Sequence, residues 1–453
     1  MSRDPRLALV LHTHMPYVEG FGTWPFGEEW LWESIACCYL PLLDVLDAWP
    51  GRMTLSLTPV LCDQLEAPGA LERCLRFLRE VRPASHASDR DALPELAAVI
   101  DWSAARYTAA ADALEQRSLL AELGRHATWT SSATHAVLPL LATDAGVRLQ
   151  LATGVASHRA RFGHWDRGFW LPECAHAPWL DPLLEEVGVH VACVDLTDVA
   201  GVSSAAPLQT EAGSLLAPID RSMVELVWLP DGYPSAAPYL DTHKRTPMRH
   251  FAWAVDGTPY NPARAMEQAR TDAEAFVSAL CEREGLVVCA LDTELLGDWW
   301  REGVDWLRFV LEVCERRGVA LEPLEGAVGA VPAVDAPELP ATSWGQPRNL
   351  ETWSAPAAGG LAWRQRDAEL RALSSHTRGY VRGVGRTRAL RELLALQSSD
   401  WAFLISRGTA GPYPRERFEG HLAAFDAALR GETHDPAVRN LAPGLFVHSS
   451  QLM

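Results

Sequence analysis

Two acidic residues that follow apolar runs are the first candidates for chemistry in this sequence. Glu173 closes the run Phe-Trp-Leu-Pro-Glu, and Asp292 lies in Ala-Leu-Asp-Thr-Glu. Cleavage of a glycosidic bond needs two carboxyl groups, one to protonate the leaving oxygen and one to attack the sugar or activate water. A separation of about 5–5.5 Å indicates a covalent intermediate with retention, and a wider one indicates inversion. Acidic residues after strands also serve as helix caps or exposed charges, so position alone leaves both interpretations open.

Tryptophans beside these acids favour a carbohydrate as the ligand. Trp170 precedes Glu173, and Trp299 and Trp300 follow Asp292. An indole face stacks on a sugar ring, and it also lowers the local polarity, which raises the pKa of a nearby acid. The chain has 18 Trp against 12 Phe and 8 Tyr, a surplus that needs a large core or a surface for flat apolar ligands.

Four further tryptophans lie in segments with little helical or strand period. Trp24 and Trp30 flank a Gly- and Pro-containing stretch after the first predicted strand, and Trp344 and Trp353 bracket a polar stretch. Burial in the core is the ordinary explanation for any single Trp. Loops lie on the surface, however, so several aromatic side chains in loops indicate binding.

His12 and His14 form the next candidate site. Side chains two residues apart on an extended segment point the same way, so both imidazoles can face one pocket. They can bind sugar hydroxyls or a metal ion, or they can be buried and satisfied at a strand end. Thr134 and His135 precede an apolar run and predict the start of a helix with Thr134 as its cap, which is a structural interpretation.

Short apolar runs rich in branched residues alternate with stretches of helical period. Strand-then-helix alternation predicts parallel pairing, in a doubly wound sheet or in a barrel. The carboxyl ends of such strands meet at one face, which would bring His12, Glu173 and Asp292 together. The predicted helices include 40–48, 263–283 and 304–317. The predicted strands are 7–11, 53–57, 127–131, 168–171, 189–194, 224–229 and 286–291.

The chain changes character after a Pro- and Ala-rich stretch at 327–341, which predicts a linker. One face of the following helical region carries core leucines and ends in Gln397 and Trp401, which are placed to border a pocket. A βα domain followed by a helical one is therefore expected. The predicted helices of this region are 367–374, 386–405 and 415–429.

The net charge of −18 excludes several classes of partner. Nucleic acid binding needs a basic stripe and anionic membranes attract basic segments, so neither is expected, whereas a neutral sugar is compatible with this charge. No apolar run is long enough to span a bilayer, and the run at 7–11 is too short for a signal peptide. Nine scattered cysteines without a Cys-x-x-Cys pair predict reduced thiols in a cytoplasmic protein.

Four motifs together resemble glycoside hydrolase family 57, and their order along nearly the whole chain is that of its 1,4-α-glucan branching enzymes. They are His-Thr-His-Met-Pro-Tyr at 12–17, Trp-Leu-Pro-Glu at 170–173, Asp-Thr-Glu-Leu-Leu-Gly-Asp-Trp-Trp at 292–300 and Gln-Ser-Ser-Asp-Trp at 397–401. Each motif is weak alone, and the ordered set is specific. The resemblance extends to the helical tail typical of that subgroup.

The resemblance implies an α/β fold in three parts. These are an incomplete (β/α)7 barrel at 1–195 and 257–330, a small inserted domain with an active-site loop at 196–256, and a C-terminal helical domain at 343–453. It implies neither a metal nor another cofactor. The expected partner is an α-glucan of the amylose or glycogen type, and we expect a monomer that binds neither nucleic acid nor membrane.

Residue roles follow from the same resemblance. Glu173 matches the nucleophile of a retaining mechanism, and Asp292 matches the general acid/base. The implied reaction cleaves an α-1,4 bond through a glycosyl-Glu173 intermediate and passes the chain to a 6-hydroxyl, which forms an α-1,6 branch. We expect the four loop tryptophans to line one groove leading to the acids, with the helical domain as one wall. The residues that match pocket or groove positions are His12, His14, His135, Trp24, Trp30, Trp170, Tyr233, Trp300, Trp344, Trp353 and Trp401.

Two departures from the family pattern bear on the activity. Asp298 stands where family members have His, and a carboxylate close to Asp292 would favour the protonated form of that acid. The loop that begins with Gly-Tyr-Pro at 232–234 continues with Ser-Ala-Ala in place of Gly-Asp, and the interval between the two acids is short. A short loop lets water compete for the intermediate, so an α-amylase-type hydrolase or a 4-α-glucanotransferase is the alternative.

Two further interpretations lie outside that family. His12 and His14 with a strand-end acid are also the pattern of a metal-dependent polysaccharide deacetylase on a similar barrel. A non-catalytic glucan-binding protein would use the same tryptophans without turnover.

Overall fold

The structure of the protein is a computed structural model, and it describes residues 5–20, 27–197, 199, 201–377, 384–432 and 440–445. Trp24, one of the residues expected to line a groove, lies outside the described residues. Both candidate acids and the three candidate histidines lie within them.

The strands of the described residues form one sheet, and seven of them make an open barrel. They are β1 (Arg6–Thr13), β2 (Thr54–Leu57), β3 (Ala127–Ser131), β4 (Gly168–Trp170), β5 (Val191–Val194), β6 (Leu208–Gln209), β7 (Leu215–Pro218), β8 (Leu286–Asp292), β9 (Ala320–Leu321) and β10 (Val334–Asp335). The order is β10-β6-β7-β5-β4-β3-β2-β1-β8, with β9 beside β1. All pairs from β7 to β8 are parallel. Among the described residues β7 and β8 do not pair with each other, so the expected incomplete (β/α)7 barrel is confirmed.

Helices surround the barrel and form the region that follows it. A π-helical turn, Ile35–Tyr39, joins α1 to α2, and another, Phe77–Val81, joins α4 to α5. The α-helices of the described residues are α1 (Glu28–Ser34), α2 (Leu40–Ala48), α3 (Pro59–Leu65), α4 (Ala70–Arg76), α5 (Arg82–Ala92), α6 (Ala97–Gln116), α7 (Leu119–His126), α8 (Asp144–Phe162), α9 (Asp181–Glu186), α10 (Arg221–Trp228), α11 (Pro262–Cys281), α12 (Gly303–Arg317), α13 (Leu324–Ala330), α14 (Glu351–Ser354), α15 (Pro356–Thr377), α16 (Val384–Leu396), α17 (Ser399–Arg407) and α18 (Tyr413–Leu429).

The barrel strands are apolar along their whole length because helices cover the sheet. In β1 the five residues 7–11 are fully buried, and in β8 the residues 286–291 are at most 1% exposed. A strand that is covered on both faces reads as a continuous apolar run instead of an alternating one. The sequence patterns that predicted these two strands therefore had a direct physical cause.

One predicted strand and one predicted helix start are wrong, and the predicted helix at 386–405 is divided into α16 and α17. Residues 224–229 lie mainly in α10, because Asp220 caps that helix by accepting from the Met223 N–H, and Val224 and Val227 face the core at helical spacing. Thr134 caps no helix. Its hydroxyl instead donates to the Leu394 carbonyl at 2.5 Å, which ties the barrel to the helical region.

The helical region packs on the barrel through a cluster that contains residues of both. Leu393, Trp401 and Phe418 are buried together with Tyr17, which follows β1. The Arg417 guanidinium donates to the Tyr17 carbonyl at 2.7 Å. The region is therefore a fixed wall of the barrel's loop face.

The segment 196–256, predicted as an inserted domain, contributes to the main sheet. Its strand β7 pairs in parallel with β5, and β6 pairs antiparallel to β7. The division of the chain into domains stays a prediction.

Packing of α8 against β3 depends on a glycine. A Cβ at Gly154 would lie 2.1 Å from the Ser131 carbonyl oxygen, whereas a Cβ at Gly420, in the exposed face of α18, would meet nothing within 4 Å. We expect Gly154→Ala to lower the free energy of unfolding by about 2 kcal/mol, because the helix must move away from the strand. The matched change Gly420→Ala should raise it by about 0.5 kcal/mol, since it only restricts the unfolded chain. Guanidinium denaturation measures both, and equal effects would contradict the close approach.

Candidate active site

The carboxyl ends of the barrel strands bring the candidate residues to one face. His12, near the end of β1, pairs in register with Asp292, the last residue of β8. Trp170 ends β4, and Glu173 follows it in a short 3-10 turn. His135 lies just beyond β3. The parallel sheet therefore assembles residues that are far apart in sequence, as the strand pattern predicted.

Glu173 is held by two hydrogen bonds in a strained backbone conformation. The Trp344 indole N–H donates to Glu173 Oε2 at 2.9 Å, and the Ser399 hydroxyl donates to Oε1 at 2.9 Å. The residue has φ 63° and ψ 22°, a left-handed conformation that is unusual for a residue with a Cβ and that clusters at functional sites. Burial raises the pKa of Glu173, while the two hydrogen bonds lower it.

Asp292 has a different environment from Glu173. Burial raises its pKa well above the usual range, and the negative charges of Glu173 and Asp400 raise it further. Among the described residues none donates a hydrogen bond to the Asp292 carboxyl. Two carboxyls whose environments push their pKa values apart are suited to different roles, the protonated one as acid and the ionised one as nucleophile. Here Asp292 suits the acid and Glu173 the nucleophile.

A directed hydrogen-bond chain through two histidines ends at Glu173. His12 Nε2 lies 2.9 Å from His135 Nε2, and His135 Nδ1 lies 2.8 Å from Ser399 Oγ. Burial lowers the pKa of both histidines well below the usual range, and positive charge on neighbouring histidines lowers it further, so both rings are neutral. Because Ser399 gives its proton to Glu173, His135 must donate to Ser399 from Nδ1 and accept at Nε2. His12 then donates from Nε2, which assigns both tautomers from the network.

The start of α17 supplies two of the polar groups at this site. Besides Ser399, it provides Asp400, whose carboxylate lies 3.0 Å from His14 Nε2. The Ser399 N–H donates to the His135 carbonyl at 3.0 Å, so the helix start is fixed to the loop after β3. From this motif the sequence predicted Gln397 and Trp401 as pocket residues and missed Ser399 and Asp400; Gln397 is buried and bonds to Gln150 and Glu369 instead. The Ser-Ser-Asp triplet was the available signal.

His14, His135 and Asp400 are the set of side chains nearest to a metal site, with ligand atoms within 4.8 Å of one another. The rings of His14 and His135 stack with centroids 4.1 Å apart and planes 18° apart. A lone pair on imidazole nitrogen lies in the ring plane, so one ion cannot lie in both of two stacked planes. The set therefore fits a hydrogen-bonding network better than metal ligation.

Trp344 and Trp228 form one aromatic wall of the site, and Trp170 lies buried behind a histidine. The Trp170 ring is fully buried and stacks on His12 with centroids 4.5 Å apart, so it supports the histidine and offers no free face to a sugar. Trp344 is partly buried and contacts Trp228 edge to face at 4.8 Å. Trp228 is 39% exposed. Sequence reasoning missed this residue because it assigned the segment to a buried strand.

The structure does not bring four of the predicted binding residues to the carboxyl pair. Trp300, Trp353 and Trp401 are at most 2% exposed and lie inside apolar clusters, so their rings have no free face for a sugar. The Tyr233 ring packs toward Trp306 of α12, at 6.3 Å between centroids. Of the four loop tryptophans, Trp30 is half-buried against the barrel core, Trp344 contacts Glu173, Trp353 is core, and Trp24 is not described. These four do not form the single groove that was expected.

Asp298, the departure from the family pattern, lies behind the site. Its carboxylate accepts from the Ser34 hydroxyl beside the π-helical turn of α1. Burial raises the pKa of Asp298 to about 6, against the opposing effects of Ser34 and Arg301. Its charge acts on Glu294, whose pKa is raised well above the usual range mainly by burial. The pKa of Asp292 is raised by burial and by the charges of Glu173 and Asp400. Asp298 is not among these causes.

An open barrel whose strand ends hold two carboxyl groups of different pKa is the architecture of a carbohydrate-cleaving enzyme. Residues 8–328 match the family described as glycosyl hydrolase family 57, and residues 372–438 match the region described as 1,4-alpha-glucan branching enzyme, C-terminal. The first match covers well over half of the chain. The chain belongs to glycoside hydrolase family 57.

Relatives named as branching enzymes cover most of the chain. A 1,4-alpha-glucan branching enzyme of Thermococcus kodakarensis is 30% identical over 92% of this chain and 72% of its own length. A probable 1,4-alpha-glucan branching enzyme of Mycobacterium tuberculosis is 30% identical over 97% of this chain and 96% of its own.

Solved structures agree with the fold. The branching enzyme of this family from Pyrococcus horikoshii superposes with a TM-score of 0.86 at 28% identity, over 100% of this chain and 94% of that one. The α-amylase AmyC from Thermotoga maritima, at 21% identity and a TM-score of 0.83 over 98% of each chain, shares the fold. Within the described part of the chain, every helix is too short or too polar to cross a membrane.

Ser399 offers a test of the hydrogen-bond chain. Removing a donor from an ionised carboxylate raises the pKa of that carboxylate, so Ser399→Ala should leave a larger fraction of Glu173 protonated at low pH. We expect the acid limb of kcat/KM on an α-1,4-glucan to move up by about one pH unit. Ser406→Ala is the matched control, since Ser406 lies on the same helix and donates to the Thr352 carbonyl. An acid limb that is the same in both variants would contradict the assignment.

Proposed function

We propose that the protein is a 1,4-α-glucan branching enzyme that acts by retaining transglycosylation. The observation that carries the proposal is the polarised carboxyl pair at the strand ends. Glu173 accepts two hydrogen bonds that favour its ionised form, whereas Asp292 is buried and receives none from the described residues. The family membership and the names of the relatives support the choice of substrate and reaction.

In the first step Glu173 attacks the anomeric carbon of an α-1,4-linked glucosyl unit. The bond from that carbon to the glycosidic oxygen breaks, and Asp292 gives its proton to the departing oxygen. The products are a β-glycosyl ester on Glu173 and a shortened glucan with a new 4-hydroxyl. Asp292 is left ionised in a buried position, which makes it a strong base for the next step.

In the second step Asp292, which acted as the acid, acts as the base. A glucan 6-hydroxyl gives its proton to Asp292 while its oxygen attacks the anomeric carbon, and the bond to Glu173 breaks. The second inversion restores the α configuration and forms an α-1,6 branch. Water in place of the 6-hydroxyl would give hydrolysis instead.

Binding residues are assigned from the groups that surround the carboxyl pair. We propose that His14 and His135 bind substrate hydroxyls, with His12 as the buried partner that orients His135. Trp344 and Trp228 form the wall on which sugar rings stack. Trp30 stays a proposed groove residue on the other side.

Hydrolysis is the second candidate, and the position of Tyr233 favours it. Its ring packs toward Trp306 instead of the carboxyl pair, and the following segment is tied to the barrel's side by the Leu240 N–H, which donates to Glu302 Oε1 at 3.2 Å. A loop held in this way excludes less water from a glycosyl intermediate. A 4-α-glucanotransferase would use the same two carboxyls with a 4-hydroxyl as acceptor.

The remaining parts of the proposal concern partners and location. We propose an α-glucan as substrate, without nucleic acid or membrane as partner, and a monomeric, cytoplasmic protein. The nine cysteines are free thiols, eight of them buried, which suits a reducing compartment.

Product analysis on amylose tests the reaction. A branching enzyme produces new α-1,6 linkages, which a debranching enzyme converts to short chains, with little rise in reducing ends before debranching. A rise in reducing ends without branches would select hydrolysis. If neither new branches nor new reducing ends form, and Glu173→Gln binds glucan as the unaltered protein does, the protein is a binding protein.

Azide rescue tests the two roles separately. We expect Glu173→Ala and Asp292→Ala each to lower kcat by at least about 10³-fold. With an activated α-glucosyl fluoride and azide, the Glu173 variant should yield the β-glycosyl azide, because azide replaces the missing nucleophile in one displacement. The Asp292 variant should yield the α-glycosyl azide, because azide attacks the glycosyl-Glu173 ester. The same anomer from both variants would overturn the assignment.

A further inference from the structure

An exposed basic loop lies beside the segment that follows Asp292. This cationic loop, residues 242–250, has the sequence Thr-His-Lys-Arg-Thr-Pro-Met-Arg-His and contains no acidic residue, in a chain with a net charge of −18. Lys244, Arg245 and Arg249 are exposed, and His243 is exposed beside them. Lys244 is the chain's only lysine.

Buried anchors hold the cationic loop in place. Asp89 of α5 accepts from the Thr246 hydroxyl and, at 3.0 Å, from the Met248 N–H. His250 Nε2 lies 2.9 Å from the Ser85 hydroxyl. The exposed cations therefore stand on a fixed frame, which lowers the entropy lost when they bind a ligand.

Two cations of the loop, Lys244 and Arg245, face aromatic rings and lack a carboxylate partner among the described residues. Lys244 lies over the Trp253 ring at 4.1 Å and Arg245 over the Phe251 ring at 5.0 Å, and among the described residues neither forms an ion pair. Partial burial lowers the pKa of Arg245, and the positive charges of Arg249 and Arg82 lower it further. Several exposed arginines elsewhere do pair with carboxylates, as Arg364 does with Glu419 and Arg317 with Glu274.

The cationic loop is joined to an exposed aromatic residue, Trp299, of the segment that follows Asp292. The Thr242 hydroxyl donates to the Trp299 carbonyl at 3.3 Å, and the Trp299 side chain is 59% exposed. Trp299 belongs to the segment that begins at Asp292. Half-buried Trp253 adds a second indole beside Lys244. Aromatic faces next to unpaired cations suit a ligand that has both sugar rings and negative charge.

We propose that the cationic loop binds anionic substituents, phosphate esters or carboxylates, carried by the α-glucan, while Trp299 stacks on its sugar rings. The inference rests on the proposed function for the glucan backbone and extends it to the substituents. Like charges held close together destabilise each other, and a bound anion relieves that repulsion. The net negative charge of the protein repels an anionic glucan, and the cationic loop supplies a local attraction that opposes this repulsion.

Modification of Lys244 tests the proposal without turnover. An amine-reactive ester can label only Lys244 and the chain's terminal amine, which serves as the internal reference. We expect maltoheptaose phosphate to slow labelling of Lys244 about fivefold, as one exposed charge contact would. Maltoheptaose oxidised at C6 to carboxylates distinguishes the two sources of charge. Protection by only one of the two ligands selects that source, and protection by both supports the shared chemistry.

Paired variants test whether the charges bind the ligand. Arg245→Gln with Arg249→Gln should weaken binding of maltoheptaose phosphate about tenfold while leaving turnover of neutral amylose unchanged. The control is Arg316→Gln with Arg317→Gln, which removes the same charge from an exposed pair bound to Glu274. Equal loss of binding in both variants would show that only net charge matters and would overturn the proposal.

Other outcomes separate this proposal from the proposed function. Equal protection of Lys244 by neutral and anionic maltoheptaose, protection by neither, or protection only by anionic phospholipid vesicles would each overturn the anionic-glucan site. Protection by the anionic oligosaccharide without any branching of amylose would leave the site in place and reject the proposed reaction instead.

Discussion

The contact between the start of α17 and the loops after β3 and β4 is the constraint on which the candidate site depends. Ser399 gives its only proton to Glu173 and receives one from His135. That single hydroxyl fixes the orientation of a carboxylate from the barrel and the tautomer of a histidine from another strand. Asp400 fixes His14 in the same way. The helical region is therefore part of the site, and the carboxyl pair is incomplete without it.

Burial raises the pKa of both carboxyls, and hydrogen bonds and neighbouring charges separate them. Both are withdrawn from water, which favours the protonated form of each. Two donors offset that effect at Glu173, and none of the described residues offsets it at Asp292. The difference in proton affinity therefore arises from the two donors at Glu173 and from the negative charges beside Asp292. The same residue has a left-handed backbone conformation, and in that conformation its two oxygens accept from Trp344 and Ser399.

Some tryptophans are buried in the core and others are exposed, and the residues next to them in the sequence do not predict which. Trp300, Trp353 and Trp401 lie within family motifs or beside polar stretches, yet all three fill the core. Trp228 and Trp299 are exposed. The sequence pattern placed Trp228 in a predicted strand and marked Trp299 only as a residue that follows Asp292. The exposed Trp299 then stands next to the cationic loop, whose Thr242 hydroxyl donates to the Trp299 carbonyl.

The sequence by itself determined the parallel barrel, the helical tail and the strand-end positions of His12, Glu173 and Asp292. It could do so because a strand covered on both faces must be apolar throughout, and parallel strands place their carboxyl ends on one side. Tertiary structure alone decided that α10 is a helix, that Ser399 reaches Glu173, and which tryptophans keep a free face. The contact of Ser399 with Glu173 joins residues more than two hundred positions apart. A local pattern of residue types does not encode a distance of that kind.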